Sequence, residues 1–478
     1  MTVRTQVAIL SGKLARSATR TLGRGGTAVP GLVAERVSPA IVSELVAKLE
    51  TSVLVTGTNG KTTTARMLAE ILAADGRTVV HNRAGSNLMR GITAALVEAA
   101  GPLGQFPAGA AAVFETDEAT IPEAARAIRP RVLVITNLMR DQLDRYGEID
   151  AIRERWVETI EALDRETALI LNADDPSVAT LAEHARGPVV LYGIDDPAVA
   201  LAPDAAAEHA ADALWDPKSG ADYVYDRRFY AHLGHWQCVG IARKRPRPDI
   251  RAVEIETTSG MLRFSVASGG AADASSPGPS EEVESVQVRL SGLYNVYNAI
   301  AALAASRVLE VPSELSAAAL GRVSAVFGRQ EELVVEGHPV RILLGKNPAG
   351  MNEALRTLQT GPRATLQVLV LLNDGVADGA DVSWIWDTDW ESLAPYVAVV
   401  WVGGHRASDM ALRLSYAGFP EPRLDETNPE GIVAALELAL AELPDGAPLF
   451  VLPTYTAMLE VRERLGRMAG ARRIWEGA

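Results

Sequence analysis

Residues 53–64 read VLVTGTNGKTTT, and no other stretch constrains the chain so tightly. An apolar, β-branched run enters a loop carrying Gly57 and Gly60. Lys61 follows, then threonines that open a helical segment, Thr62–Ala74. Strand, glycine loop, lysine, hydroxyl and helix in that order make a phosphate cradle. The glycines let the backbone turn its N–H groups toward phosphate oxygens, and the helix N-terminus adds positive potential. The expected nucleotide-binding residues are therefore Gly57, Thr58, Asn59, Gly60, Lys61, Thr62 and Thr63. Lys61 supplies charge at the terminal phosphates and Thr62 a hydroxyl for Mg²⁺.

The pattern around this loop alternates strand and helix. Ser52–Thr56, Ala111–Glu115, Val132–Thr136, Ala168–Asn172 and Val189–Tyr192 read as short buried strands separated by helical segments. Such alternation predicts an α/β fold with a doubly wound, mainly parallel sheet. Near residue 205 the order breaks, and residues 205–250 read as an irregular β insert rich in Trp, Tyr, His, Gly and Pro. Val253–Ile255 and Leu262–Val266 flank a turn, which predicts a hairpin. Residues 268–283 are rich in Gly, Ala, Ser and Pro and read as a flexible loop. Strand-like Val286–Leu290 leads to a helix from Asn295. Further buried strands at Val340–Leu344, Gln367–Leu372, Val397–Val402 and Leu449–Leu452 belong to a second α/β region. The division expected is 1–45 as an N-terminal basic helix and turn, 46–330 as a central ATP-binding domain, and 331–478 as a C-terminal α/β domain.

Composition narrows the function classes. The chain of 478 residues carries a formal net charge of −14 without a long basic block, so nucleic acid is not an expected partner. The single cysteine, Cys238, permits no internal disulfide and fits a reducing cytoplasm. No secretory signal opens the chain, and no run approaches the roughly 18 apolar residues of a membrane span. The expectation is a soluble cytoplasmic protein. Residues 5–22 read as a basic amphipathic helix, either packed on the body or touching an anionic membrane surface.

Further strings occur in a fixed order. Glu115-Thr116-Asp117-Glu118 follows a strand. Thr136-Asn137 precedes Asp141-Gln142-Leu143-Asp144 and Gly147. Leu171-Asn172-Ala173-Asp174-Asp175, Gly292-Leu293-Tyr294-Asn295-Val296-Tyr297-Asn298-Ala299 and Gly328-Arg329 come later. Together with T-G-T-N-G-K-T-T, in which Val55 replaces the first glycine of the general nucleotide loop, they resemble the Mur ligases. That resemblance implies ATP and Mg²⁺ as cofactors, with Mg²⁺ at Thr62 and Glu115. It also implies Asn298 at adenine and the Arg329 guanidinium at the terminal phosphate. Asp117 and Glu118 read more simply as charge at a helix N-terminus. Gln142 stands where those enzymes carry a histidine, which puts a second metal in doubt.

Two further strings resemble the MurT family: Lys346-Asn347-Pro348-Ala349-Gly350-Met351-Asn352, and the run from Asn373 to Asp387, NDGVADGADVSWIWD. His81-Asn82 with Gly85-Ser86-Asn87 fits the same family. The implied C-terminal domain is Rossmann-like. The implied activity is ATP-dependent amidation of the α-carboxylate of D-glutamate in the lipid II stem peptide, through an acyl phosphate. Lys61 and Glu115 would act in that chemistry. Ammonia would come from a GatD-type glutaminase, with Asp381 completing the partner's Cys-His pair. Lipid II is membrane-anchored, so a cytoplasmic protein would work peripherally at the inner face. The alternatives are another Mur- or folylpolyglutamate-type amide ligase, or a nucleotide-dependent scaffold. Family members often carry a four-cysteine zinc ribbon in the insert. Here Asp216-Pro217-Lys218-Ser219 and Cys238-Val239-Gly240-Ile241 retain one cysteine, so zinc is not expected and aromatic packing should hold the insert.

Overall fold

The strand–loop–helix unit forms where the sequence places it. β1 (Thr51–Thr56) is buried along its length, and the helix Lys61–Ala74 leaves the loop that follows. A computed structural model describes residues 1–21, 28–82, 87–140, 149–201, 212–258, 260–269, 282–323, 329–359, 365–375 and 377–469. The Asp141–Asp144 string, Gly147, Gly85, Ser86, Gly328 and most of the 268–283 loop lie outside these residues.

Eleven strands precede the second α/β region: β1, β2 (Val79–His81), β3 (Ala111–Glu115), β4 (Val132–Ile135), β5 (Ala168–Asn172), β6 (Val189–Ile194), β7 (Tyr223–Tyr230), β8 (Leu233–Cys238), β9 (Ile250–Thr258), β10 (Met261–Ser268) and β11 (Glu282–Val288). Nine of them form one sheet in the order β11-β10-β9-β6-β5-β4-β1-β3-β2. The strands from β2 to β9 in that order pair in parallel, and β10 and β11 close the edge antiparallel. Alternate residues of the central strands face opposite layers. Val53, Val55, Val113 and Val134 pack with helices Lys61–Ala74 and Tyr294–Val308. Leu54, Phe114, Leu133 and Leu169 pack with the opposite layer, which includes Trp156 and Ile92. Burial on both faces is why these strands read as continuous apolar runs rather than alternating ones.

β12 (Arg329–Val335), β13 (His338–Leu343), β14 (Leu366–Leu371), β15 (Val397–Gly403) and β16 (Leu449–Pro453) form a second sheet, order β12-β13-β16-β14-β15. Only β12 is antiparallel in it. β12 is an edge strand with Val334 exposed, so its sequence lacks the buried-strand signature.

The N-terminal helix, Val3–Thr21, packs on the body through Thr5, Ala8, Ile9 and Gly12. Three of its basic side chains bond to neighbouring segments: Arg4 donates to the Val37 carbonyl, Lys13 to the Ala100 carbonyl, and Arg16 pairs with Glu98. Val3, Val7, Leu10 and Leu14 are exposed. Among the described residues no helix is long and apolar enough to cross a membrane.

The insert is a two-stranded β7–β8 hairpin. Tyr223 and Trp236 meet edge to face, ring centroids 5.4 Å apart, beside buried Cys238. Arg243 bridges Asp216 and Glu183, and Lys218 also pairs with Glu183. His232, His235 and Cys238 do not converge. His232 Nε2 faces Asp175 at 3.3 Å and His235 Nε2 faces Asp195 at 3.1 Å. Among the described residues no group of three or more His, Cys, Asp or Glu could hold a metal ion. Burial opposes a proton on His232, but the Asp175 carboxylate and nearby Asp212 outweigh it and raise the imidazole above its ordinary range.

Arg245 ties the hairpin to the sheet. Its guanidinium donates to Asp174 at 2.6 Å, to Asp195 at 2.9 Å and to the Ile194 carbonyl. Asp174 is wholly buried. Removing one partner of a buried pair leaves the other charge uncompensated. Arg245→Met is therefore expected to cost about 3 kcal/mol, read as a lower urea midpoint; an unchanged midpoint would refute the assignment.

Candidate active site

β1 lies between β3 and β4. The chain crosses to opposite sides of β1, which makes its C-terminal end the crevice where ligands bind in such sheets. The loop of residues 57–60 sits there, flanked by the ends of β3 and β4. Gly57 has φ +124° and Gly60 φ +86°, both in the region that favours glycine. A Cβ on Gly57 would collide with Thr136 Oγ1, and one on Gly60 with Asn298 Oδ1. The loop is thus a backbone-lined cradle closed by neighbouring side chains.

Asn59 is the hub of that closure. Its N–H donates to Asn137 Oδ1 at 2.8 Å, and its carbonyl accepts from Thr136 Oγ1 and Asn137 Nδ2. Its amide nitrogen donates to the Tyr230 hydroxyl, and its Oδ1 accepts from Asn347 Nδ2 at 3.2 Å. The insert and the segment after β13 therefore both reach the loop. Arg140 adds a second link, pairing with Asp212 and, at 3.1 Å, with Asp387.

Lys61 is buried. Its ammonium donates to the Gly57 and Thr58 carbonyls and to Glu118 Oε2 at 3.0 Å. This corrects the simple reading of Asp117 and Glu118 as helix-terminal charge. The helix begins only at Ile121, with Glu123 as the acid of its first turn. Asp117 instead accepts from the Ala119 N–H.

Glu115 is half-buried and pairs in register with Val55, beside the start of the loop. Asn82 fixes its backbone on both sides, donating to the Glu115 carbonyl and accepting from its N–H, each at 2.9 Å. Thr62 and Thr63 are half-buried in the first turn of the helix. One carboxylate with one hydroxyl is a donor set that Mg²⁺ takes alongside phosphate oxygens, so the residues present fit a Mg-nucleotide. Asn298 accepts from Thr64 Oγ1 at 3.2 Å and donates to Asn295 Oδ1 at 3.0 Å, which holds its amide against the loop. The side chain of Arg329, at the start of β12, lies outside the described residues.

Asp381 sits apart from the loop, exposed on the segment after β14. Its carboxylate accepts from the Ser383 N–H at 2.8 Å. Hydrogen bonds from Ser383 lower its pKa below the usual carboxylate value, so it is charged at neutral pH. Buried Asp378 anchors the same segment by accepting from the N–H and hydroxyl of Thr456.

Residues 55–223 match the Mur ligase middle domain, and residues 344–458 match the MurT ligase C-terminal. The chain is 34% identical over 469 residues to the MurT subunit of the lipid II isoglutaminyl synthase (glutamine-hydrolysing) of Streptococcus pneumoniae, covering 97% of this chain and 98% of that one. The chain belongs to the MurT family. Members of this family share the Mur ligase fold, and this chain is an ATP-dependent ligase of that type. Solved structures share the architecture. A pseudomurein peptide ligase type C from Methanothermus fervidus aligns with TM-score 0.62 at 22% identity, over 89% of this chain and 80% of that one. The folylpolyglutamate synthase of Mycobacterium tuberculosis, solved with ADP, aligns with TM-score 0.60 at 16% identity, over 89% and 93%. Sequence reasoning for a MurT-type chain missed the Lys61–Glu118 pair, the Asn59–Tyr230 bond and the Asn59–Asn347 contact. Glu118 alone carried a signal, as an acid that ends a segment at the crevice.

Proposed function

We propose that this chain is the synthetase subunit of a glutamine amidotransferase that converts the stem-peptide D-glutamate of lipid II to D-isoglutamine. The observation that carries the reading is the near end-to-end match to a lipid II isoglutaminyl synthase subunit, with the phosphate cradle intact. A carboxylate is a poor electrophile, and phosphorylation gives it a leaving group. Ammonia then attacks the acyl phosphate, expelling phosphate and leaving the amide. The loop amides and Lys61 hold the triphosphate in line. Mg²⁺, held by Thr62 and Glu115, supplies further charge neutralisation when bound. Arg329 is assigned to the terminal phosphate and Asn298 to adenine.

The ammonia source is a GatD-type glutaminase. This chain has one cysteine, Cys238, buried in the hairpin, so it lacks an accessible thiol nucleophile of its own. Asp381, exposed and charged, is assigned to orient the partner's catalytic histidine. The lipid-linked substrate places the work at the cytoplasmic face of the membrane.

The deciding experiment is amidation of lipid II by the chain with ATP and Mg²⁺, fed either ammonium or glutamine plus the glutaminase. Product under both regimes is expected. A folded, ATP-binding sample that yields no product under either would move the activity to another acid substrate.

A further inference from the structure

We propose that Glu118 is the counter-ion that the phosphate loop exchanges for nucleotide, and that this exchange makes ATP binding depend on a divalent cation. The inference rests on the ATP-ligase reading of the loop. Glu118 and Lys61 lie 3.0 Å apart with both side chains buried. The backbone that carries Glu118 is fixed by its own segment. Trp156 Nε1 donates to the Glu118 carbonyl at 3.1 Å, the Thr116 N–H donates to the Val55 carbonyl, and the Asp117 N–H donates to the Asn87 carbonyl. A fixed backbone and a buried side chain keep the Glu118 carboxylate near the loop when Lys61 turns to a phosphate.

A triphosphate that takes Lys61 leaves a buried carboxylate beside the incoming negative charge. That arrangement is unfavourable unless a cation enters with the nucleotide. Thr62 and Glu115 lie at the same end of the sheet and would hold such a cation. Glu118 thus penalises metal-free ATP and leaves Mg-ATP favoured. By linkage, ATP and Mg²⁺ each raise the other's affinity by the same factor. Glu118 acts through Lys61 and is a positioning residue.

The test is the dissociation constant for ATP, measured by calorimetry on the full chain in EDTA and in Mg²⁺. Wild type is expected to bind ATP more weakly in EDTA. Glu118→Gln, which keeps size and removes charge, should tighten the EDTA value by about tenfold, an ordinary size for coupled sites. Its Mg²⁺-to-EDTA ratio should shrink to match. Glu118→Asp keeps the charge and should retain the wild-type ratio. No gain for Glu118→Gln in EDTA, or a Glu118→Asp ratio as small as that of Glu118→Gln, overturns the inference while the ligase reading stands. Wild type that binds ATP in neither buffer overturns the ligase reading itself.

Discussion

Lys61→Ala is expected to abolish ATP-dependent amidation, with a loss of about a thousandfold or more in kcat/KM. The loss should appear equally with ammonium and with glutamine, because the role proposed for Lys61 is in phosphoryl transfer and not in ammonia supply. The substitution also removes the Lys61 ammonium from beside Glu118, a buried carboxylate. The free protein should therefore melt earlier, by an amount equivalent to about 3 kcal/mol. The double variant Lys61→Ala/Glu118→Gln removes both charges and should recover most of that stability while remaining inactive. Stability recovered without activity separates a catalytic role from a folding role. Amidation that survives in the single variant above a tenth of wild type would refute the assignment of Lys61.

Asp381→Asn is expected to divide the two nitrogen sources. Glutamine-driven amidation should fall by about 10⁴-fold, the loss seen when an orienting aspartate of a triad becomes an amide. Ammonium-driven amidation and ATP affinity should be unchanged. Asp381 is exposed, and the substitution keeps its shape, so the melting temperature should move little. The lowered pKa of Asp381 adds a pH expectation. Its charge persists throughout the neutral range, so glutamine use should not fall through loss of this carboxylate until the pH drops below the ordinary aspartate range. Intact glutamine-driven rates in the variant would remove Asp381 from the partner's active site.

Much of the fold was legible because its signals are local. Burial on both faces turns β1, β3, β4 and β5 into short apolar runs, and glycine at 57 and 60 announces a backbone that other residues adopt only with strain. The strand positions read from the sequence agree with the structure to within a few residues. β12 was missed because an exposed edge strand needs no apolar run. The hairpin β7–β8 read as irregular because its strands carry bulges and short-range aromatic packing rather than clean alternation.

The sequence by itself therefore determined the strand–glycine loop–helix unit, the α/β alternation and, through the strings at 346–352 and 373–387, the family. Tertiary structure alone decided what surrounds the loop. Glu118 meets Lys61 across 57 positions because β1 and β3 are neighbours in the sheet. Asn347 meets Asn59 across 288 positions because the segment after β13 reaches the loop. Periodicity reports which face of an element is buried. Which two buried groups touch depends on strand order and on how the sheets are set against each other, and those follow from the packing of the whole chain.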